Sequence, residues 1–204
     1  MAVCSRCGGE VEKKVPAGED RVRDVCGRCG AIHYDNPRLV VGTVVSHEGS
    51  VLLCRRAIEP RRGTWTVPAG FLEIGESAPD GARRETREET GVEVRVVAPL
   101  VHFDLVRIGQ IYLMFRAELE AGAAPHAPSA HSLSESLEVR WFPWDEVPWE
   151  ELAFDATRFT LERALADMRA GRARLHYGTL RPMPDRAGPW RATTLEDAWS
   201  LDLA

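Results

Sequence analysis

Lysine is almost missing from this chain of 204 residues: Lys13 and Lys14 are the only two, and arginine carries the rest of the positive charge. Acidic residues outnumber basic ones, leaving a net charge of −5, so no basic excess exists to neutralise a nucleic-acid backbone. That balance argues against nucleic acid as a partner. Long apolar runs are also missing. The longest, LVVGTVV at 39–45, falls far short of the ~20 residues a membrane-spanning helix needs, which excludes a membrane partner on this reading. MAVCSRCGGE has no apolar core of a signal peptide, and the expected location is cytoplasmic. What the chain does have is 44% hydrophobic residues, enough for one medium domain and a small one.

Four of the five cysteines form two knuckles, CSRC at 4–7 and CGRC at 26–29. Two Cys-x2-Cys pairs at this separation suit a tetrahedral zinc ion held by four thiolates, Cys4, Cys7, Cys26 and Cys29. Two disulfides are the alternative, and they belong to oxidising compartments. Gly8, Gly9, Gly27 and Gly30 are expected to supply the positive φ angles of the knuckle turns. Cys54, inside the apolar run VLLC, reads as a small core residue. Residues 1–36 are therefore expected to be a zinc ribbon, with HYDNPR at 33–38 passing the chain to a main domain over 37–181. Residues 182–204, Pro-rich and then polar, are a tail to which the sequence assigns no role.

The main domain reads as α/β. LVVGTVVSH, SVLLCRR and TWTVPAGF are rich in β-branched residues and broken by glycine or proline, and VEVRVV, IGQIYLMFRAEL and LEVRWF continue the strand pattern. GAAPHAPSAHSLSES is a small-residue loop whose two histidines are expected to be solvated. DATRFTLERALADMRAG has helical spacing, with Phe159, Leu161, Leu165 and Met168 as expected core contacts. A second helix should span about 78–90, capped by Ser77 with Asp80 three residues on, tolerant of Pro79 in its first turn, and stopped by Gly91.

On that helix Glu85, Glu88 and Glu89 stand at i, i+3 and i+4, on one face. Two unit charges ~4 Å apart repel by about 4 kcal/mol at an effective dielectric near 20, so a partly enclosed face of this kind wants cations. All-oxygen donors select hard ions such as Mg²⁺ or Mn²⁺. The alternative is a solvated face neutralised by Arg83, Arg84 and Arg87.

The whole stretch decides between them. Gly70, five residues, Glu76, seven residues, Arg84-Glu85, two residues, Glu88-Glu89, one residue and Gly91 resembles the Nudix box of the nucleoside-diphosphate-linked-moiety hydrolases. A chance match to seven such positions has a probability on the order of one in a million. Thr86 departs from the pattern, which usually has an aliphatic residue there; its methyl is expected to pack towards the sheet at a modest cost in stability.

The resemblance implies a Nudix fold, a mixed sheet between helices, and a hydrolase dependent on Mg²⁺ or Mn²⁺. Glu85, Glu88 and Glu89 would bind the catalytic ions, joined by the Ala69 carbonyl; Arg84 would orient Glu88, Gly70 would let backbone approach the metal, and Glu76 would hold the loop or a water beside the metal's own ligands. Glu135 matches the family's loop base better than Glu138, and both stay open. The four-cysteine ribbon, HYDNPRLVVG, GQIYLMFRAEL, ESLEVRWF and EVPWEELAF resemble the zinc-ribbon subgroup of ADP-ribose or FAD pyrophosphatases. NADH pyrophosphatases carry an SQPWPFPxS-type segment where VHFDLVRIGQIYLMF stands here, which counts against NADH. Arg56, among Arg55, Arg61 and Arg62, is a candidate phosphate contact, and Phe103 and Tyr112 are candidate stacking residues or core. A nucleic-acid-binding regulator on a non-catalytic domain is the contrasting reading, and a homodimer stays open.

Overall fold

The computed structural model describes residues 3–123, 135–182 and 193–203. The two loop histidines of the sequence reading, His126 and His131, lie outside the described residues. Two compact units make up the chain, Met1–Pro37 and Arg38–Ala204.

The small unit is a three-stranded antiparallel sheet of β1 (Val11–Lys14), β2 (Arg23–Cys26) and β3 (Ile32–His33). Gly8 and Gly30 adopt positive φ in the knuckles as expected. Gly9 and Gly27 do not, and Gly9 serves close packing instead: a Cβ there would fall 2.9 Å from Arg28 Cβ and 3.1 Å from Cys26 Sγ.

The large unit is built on one mixed sheet. Its strands are β4 (Arg38–His47), β5 (Ser50–Arg56), β6 (Trp65–Thr66), β7 (Ala69–Phe71), β8 (Val94–Leu105), β9 (Gln110–Leu119), β10 (Ser136–Pro143), β11 (Arg174–Pro182) and β12 (Thr193–Asp202). The order is β10-β5-β4-β9-β8-β11-β12, with β6 on β5 and β7 on β4. β4 runs parallel to β9, and β11 parallel to β8. The two helices, α1 (Ala78–Thr90) and α2 (Asp155–Ala170), sort by the two-residue alternation of the strands. Val41, Leu113 and Phe115 pack with Ala82 of α1. Their neighbours Val44, Tyr112 and Met114 pack with Phe103 and with Leu161 of α2. Burying a side chain such as Leu161 or Phe103 fully contributes ~1.5–3 kcal/mol.

α1 starts and stops where the sequence places it. Ser77 Oγ accepts from the Asp80 N–H at 3.3 Å, and Gly91, at φ 69°, closes the helix with its N–H on Arg87 O. Beside it, Gly42 of β4 lets the chain before β7 come close; a Cβ there would sit 2.3 Å from Pro68 O.

α2 differs from the sequence reading at its end. Leu161 is buried, and Phe159 and Leu165 are packed against the core, but Met168 is 48% exposed. Asp167 takes the inward position at 1% exposure. Its carboxylate accepts from Arg116, from the Arg174 side chain and N–H, and bonds His176, whose Nδ1 is 2.7 Å from Ser200 Oγ. This network ties α2, β9, β11 and β12 together. Within the tail to which the sequence assigned no role, residues 193–202 form β12 against β11.

Candidate active site

β5, β7 and α1 bring the charged stretch to a cleft of about 770 Å³, within the ~300–1,000 Å³ range of small-molecule sites. Glu85, Glu88, Glu89, Arg84, Ala69 and Glu135 all line it. Arg84 organises the carboxylates. Its Nε and Nη2 make a bidentate pair with Glu76 at 3.0 and 2.7 Å, while Nη1 donates to Glu85 at 2.8 Å and Glu88 at 3.1 Å. It therefore steers two box glutamates, where the sequence reading gave it one. Glu76 also accepts the Glu73 N–H at 2.8 Å, tying the loop to the helix, and the Arg84 hydrogen bonds hold its carboxyl down to about 2.

Glu89 is the enclosed one, 8% exposed at a point of the helix facing β7. Its Oε2 accepts the Ala69 N–H at 3.0 Å and lies 3.6 Å from Cys54 Sγ. Burial pushes its carboxyl up to about 8, the Ala69 N–H pulls the other way, and the nearby Glu85 adds to the rise. Burial likewise raises Glu85 and pushes the Cys54 thiol well up, so Cys54 stays a donor. The close fit is visible at Gly70, where a Cβ would fall 2.3 Å from the Glu85 carboxylate.

This donor set suits a hard divalent cation. It is all oxygen, it clusters three carboxyls in one place, and burial makes the Glu89 carboxyl costly to ionise without a cation beside it. The three glutamates are held apart by Arg84 and by the Ala69 N–H, so a cation would compete with those bonds.

The other sequence candidates separate. Arg56 lines the cleft, its guanidinium 5.1 Å from the Phe154 ring centre. Arg55 instead donates to Gly63 O and pairs with Glu138 at 3.7 Å, and Arg61 donates to Ala153 O. Tyr112 lines the cleft. Phe103 does not: at 0% exposure it is core, because its β8 position points towards α2. Glu135 stands at the cleft, where its charge adds to the rise at Glu85. The sequence reading missed Arg107, Ile108, Phe154 and Leu180, which build the opposite wall from the β8–β9 turn, α2's start and β11. No local motif marks them.

In the small unit, the four cysteine Sγ atoms lie within 4.8 Å of one another, unpaired as disulfides. Cys4 and Cys29 are 3.8 Å apart and Cys7 and Cys26 3.5 Å, near the ~3.8 Å between thiolates 2.3 Å from one tetrahedral centre. Backbone N–H groups of Arg28 and Cys29 point at Cys26 Sγ, and His33 Nε2 is 3.3 Å from Cys4 Sγ. These donors steady thiolates, as a zinc site requires.

Known proteins agree with this geometry. The NUDIX domain family matches residues 36–163, and the Nudix N-terminal zinc-ribbon family matches residues 4–35. A Nudix hydrolase from Nitrosomonas europaea superposes with a TM-score of 0.80 at 40% identity, over 88% of this chain and 98% of that one. An NAD-capped RNA hydrolase NudC from Vibrio vulnificus is 27% identical over 170 residues, 83% of this chain and 61% of that protein. The chain thus spans less than two thirds of the length of that relative and of its counterpart from Vibrio parahaemolyticus. A MutT-like protein from Streptomyces ambofaciens is 36% identical over 108 residues, 53% of this chain and 64% of that protein. With matches running on from residue 4 to residue 163, the chain belongs to the Nudix family in its zinc-ribbon form.

Proposed function

We propose that the protein hydrolyses the phosphoanhydride of a nucleoside diphosphate linked to a second moiety, with ADP-ribose or FAD as preferred substrate and AMP plus a phosphorylated product released. The observation that carries this reading is the placement of Glu85, Glu88 and Glu89 together in a 770 Å³ cleft that Arg56, Arg107 and apolar residues such as Ile108, Phe154 and Leu180 also line. Bound Mg²⁺ or Mn²⁺ would neutralise phosphate oxygens and lower the pKa of the attacking water.

The chain's own residues then have distinct tasks. Glu85, Glu88 and Glu89 hold the cations, with Ala69 beside them, and Arg84 keeps Glu85 and Glu88 aimed into the cleft. Arg56 and Arg107 face the diphosphate. Phe154, Ile108, Leu180 and Tyr112 offer surface for a planar ring. Glu135 accepts the proton as the water oxygen bonds phosphorus and the bridging P–O bond breaks to the leaving phosphate. Glu138 is engaged by Arg55, which favours Glu135 for this role. The four cysteines hold a structural zinc ion. The protein acts as a soluble enzyme of the cytoplasm; among the described residues no helix is long and apolar enough to cross a membrane.

A second reading, cleavage of NADH or of an NAD cap on RNA, is favoured by the names of the NudC relatives. The net charge of −5 and the sequence 101–115, which forms cleft wall at Leu105, Arg107 and Ile108, stand against it. Comparing kcat/KM with Mg²⁺ for ADP-ribose, FAD, NADH and an NAD-capped oligoribonucleotide separates the two. ADP-ribose or FAD should lead. A clear lead for NADH or the capped RNA would transfer the assignment to the second reading.

A further inference from the structure

Cys54 was read as a core thiol, and by burial it is one, yet its contacts are polar. Its Sγ lies 3.6 Å from Glu89 Oε2 and 3.6 Å from Thr66 O. A thiol has one proton, and of two acceptors at equal distance the carboxylate draws it more strongly. Glu89 Oε2 thus receives two donors from opposite elements, the Ala69 N–H of β7 and the Cys54 thiol of β5, while Oε1 has no hydrogen-bond partner among the described residues.

A second observation lies on the neighbouring strand β10, which pairs with the β5 strand of Cys54. Ser136 is 3% exposed, and its Oγ has no hydrogen-bond partner among the described residues. Buried hydroxyls left like this are uncommon and call for a reason. Ser136 opens β10 beside a bulge, where the register against β5 shifts between Ser136 and Glu138. Such bulges redirect side chains. Ser136 also follows directly on Glu135 at the cleft.

We propose that Cys54 is a positioning residue for Glu89, its thiol and the Ala69 N–H together holding Oε2 so that Oε1 is turned into the cleft. The inference rests on Glu89 being a cation ligand, as in the proposed function. Packing alone and donation predict opposite orders among substitutions. Valine fills the site without a donor. Serine keeps a donor but buries a more polar group in slightly less volume.

The test is Mn²⁺ binding to the zinc-loaded full chain, read as loss of the free Mn²⁺ electron paramagnetic resonance signal, alongside kcat for ADP-ribose. Cys54→Val should weaken Mn²⁺ binding roughly 10-fold and lower kcat similarly, the scale of lost outer-shell support at metal sites. Cys54→Ser should stay within about three-fold of the parent in both. Mn²⁺ affinity of Cys54→Val equal to the parent, or Cys54→Ser as impaired as Cys54→Val, would overturn the inference. Should the valine variant fail to fold, Cys54→Ala is read in its place by the same criteria. Binding is measured without substrate, so a parent protein that hydrolyses no diphosphate would end the proposed function while leaving this comparison readable.

Discussion

Thr43 and Thr86 bury their hydroxyls against each other, 2.7 Å apart, between β4 and α1. Thr86 Oγ1 also donates to Ala82 O at 2.7 Å, so Thr43 must be the donor within the pair. The position where the box usually has an aliphatic residue is thus matched by a second threonine across the interface. Thr86→Val should cost about 1–3 kcal/mol, because it strands the Thr43 hydroxyl; Thr43→Val should cost less, about 0.5–1.5 kcal/mol, because Thr86 keeps Ala82. The double variant should return to within ~1 kcal/mol of the parent. Urea midpoints for the four proteins measure this, and simply additive losses would refute it.

Glu89→Gln and Arg87→Gln should differ sharply. Glu89 is enclosed at the cleft, whereas Arg87 is exposed on the same helix. The first should lower kcat by roughly 10² to 10³-fold and the second by no more than a few-fold. Without divalent cation, Glu89→Gln should melt at least as high as the parent, since it replaces a buried carboxyl that burial and Glu85 make costly to ionise with a neutral amide. Near-native kcat for Glu89→Gln in saturating Mg²⁺ would mean that the glutamates are only a charged face.

Zinc should be found at one ion per chain by elemental analysis of protein purified without chelator. Cys26→Ser should lose it and loosen residues 4–33, with only a minor effect on kcat, because the thiolate set is closed and carries no open position for chemistry. Protein free of zinc in that assay would count against the site.

Asp167 and His176 set an acid limit on stability. Burial pulls the His176 imidazolium down, more than the Asp167 carboxylate pulls it up, so its folded value lies below the ordinary 6.5. Burial pushes Asp167 up, but His176 and Arg174, followed by Arg116, outweigh it and leave the folded value below 3.8. Both shifts have the same sign. Each group contributes stability above its unfolded pKa and loses it as pH falls through the folded one, His176 below about 6.5 and Asp167 below about 3.8. His176→Gln should flatten the first descent in thermal melts across pH 7 to 5. Asp167→Ala should cost about 3–5 kcal/mol at neutral pH by leaving Arg116 and Arg174 without their buried partner.

Local chemistry made α1 readable to the residue. Ser77 and Gly91 act through bonds within one turn, and the glutamate spacing fixes their common face. The Asp167 position was not readable that way. Helical spacing puts Met168 in line with Leu161 and Leu165, and only Arg116, Arg174 and His176, brought from β9 and β11, make an inward carboxylate affordable. Phe103 failed for a related reason, since an aromatic side chain in a strand reads alike whether the face it takes is core or cleft. β12 carries too few buried residues to show a strand pattern, and its partner β11 decides its form.

Asp155, at the start of α2, accepts both the N–H of Thr193 at 2.8 Å and its hydroxyl at 3.1 Å, and both residues line the cleft. In the order of synthesis, Glu89 therefore precedes the last residue of its own enclosure by roughly a hundred positions, some 5–20 s at ordinary ribosomal speeds. Through that interval the nascent chain carries its acidic helix beside an unfinished wall. A variant truncated after Pro182 should accordingly still attract divalent cations while discriminating less among diphosphates than the full chain, so any selectivity would come from residues made long after the acidic helix.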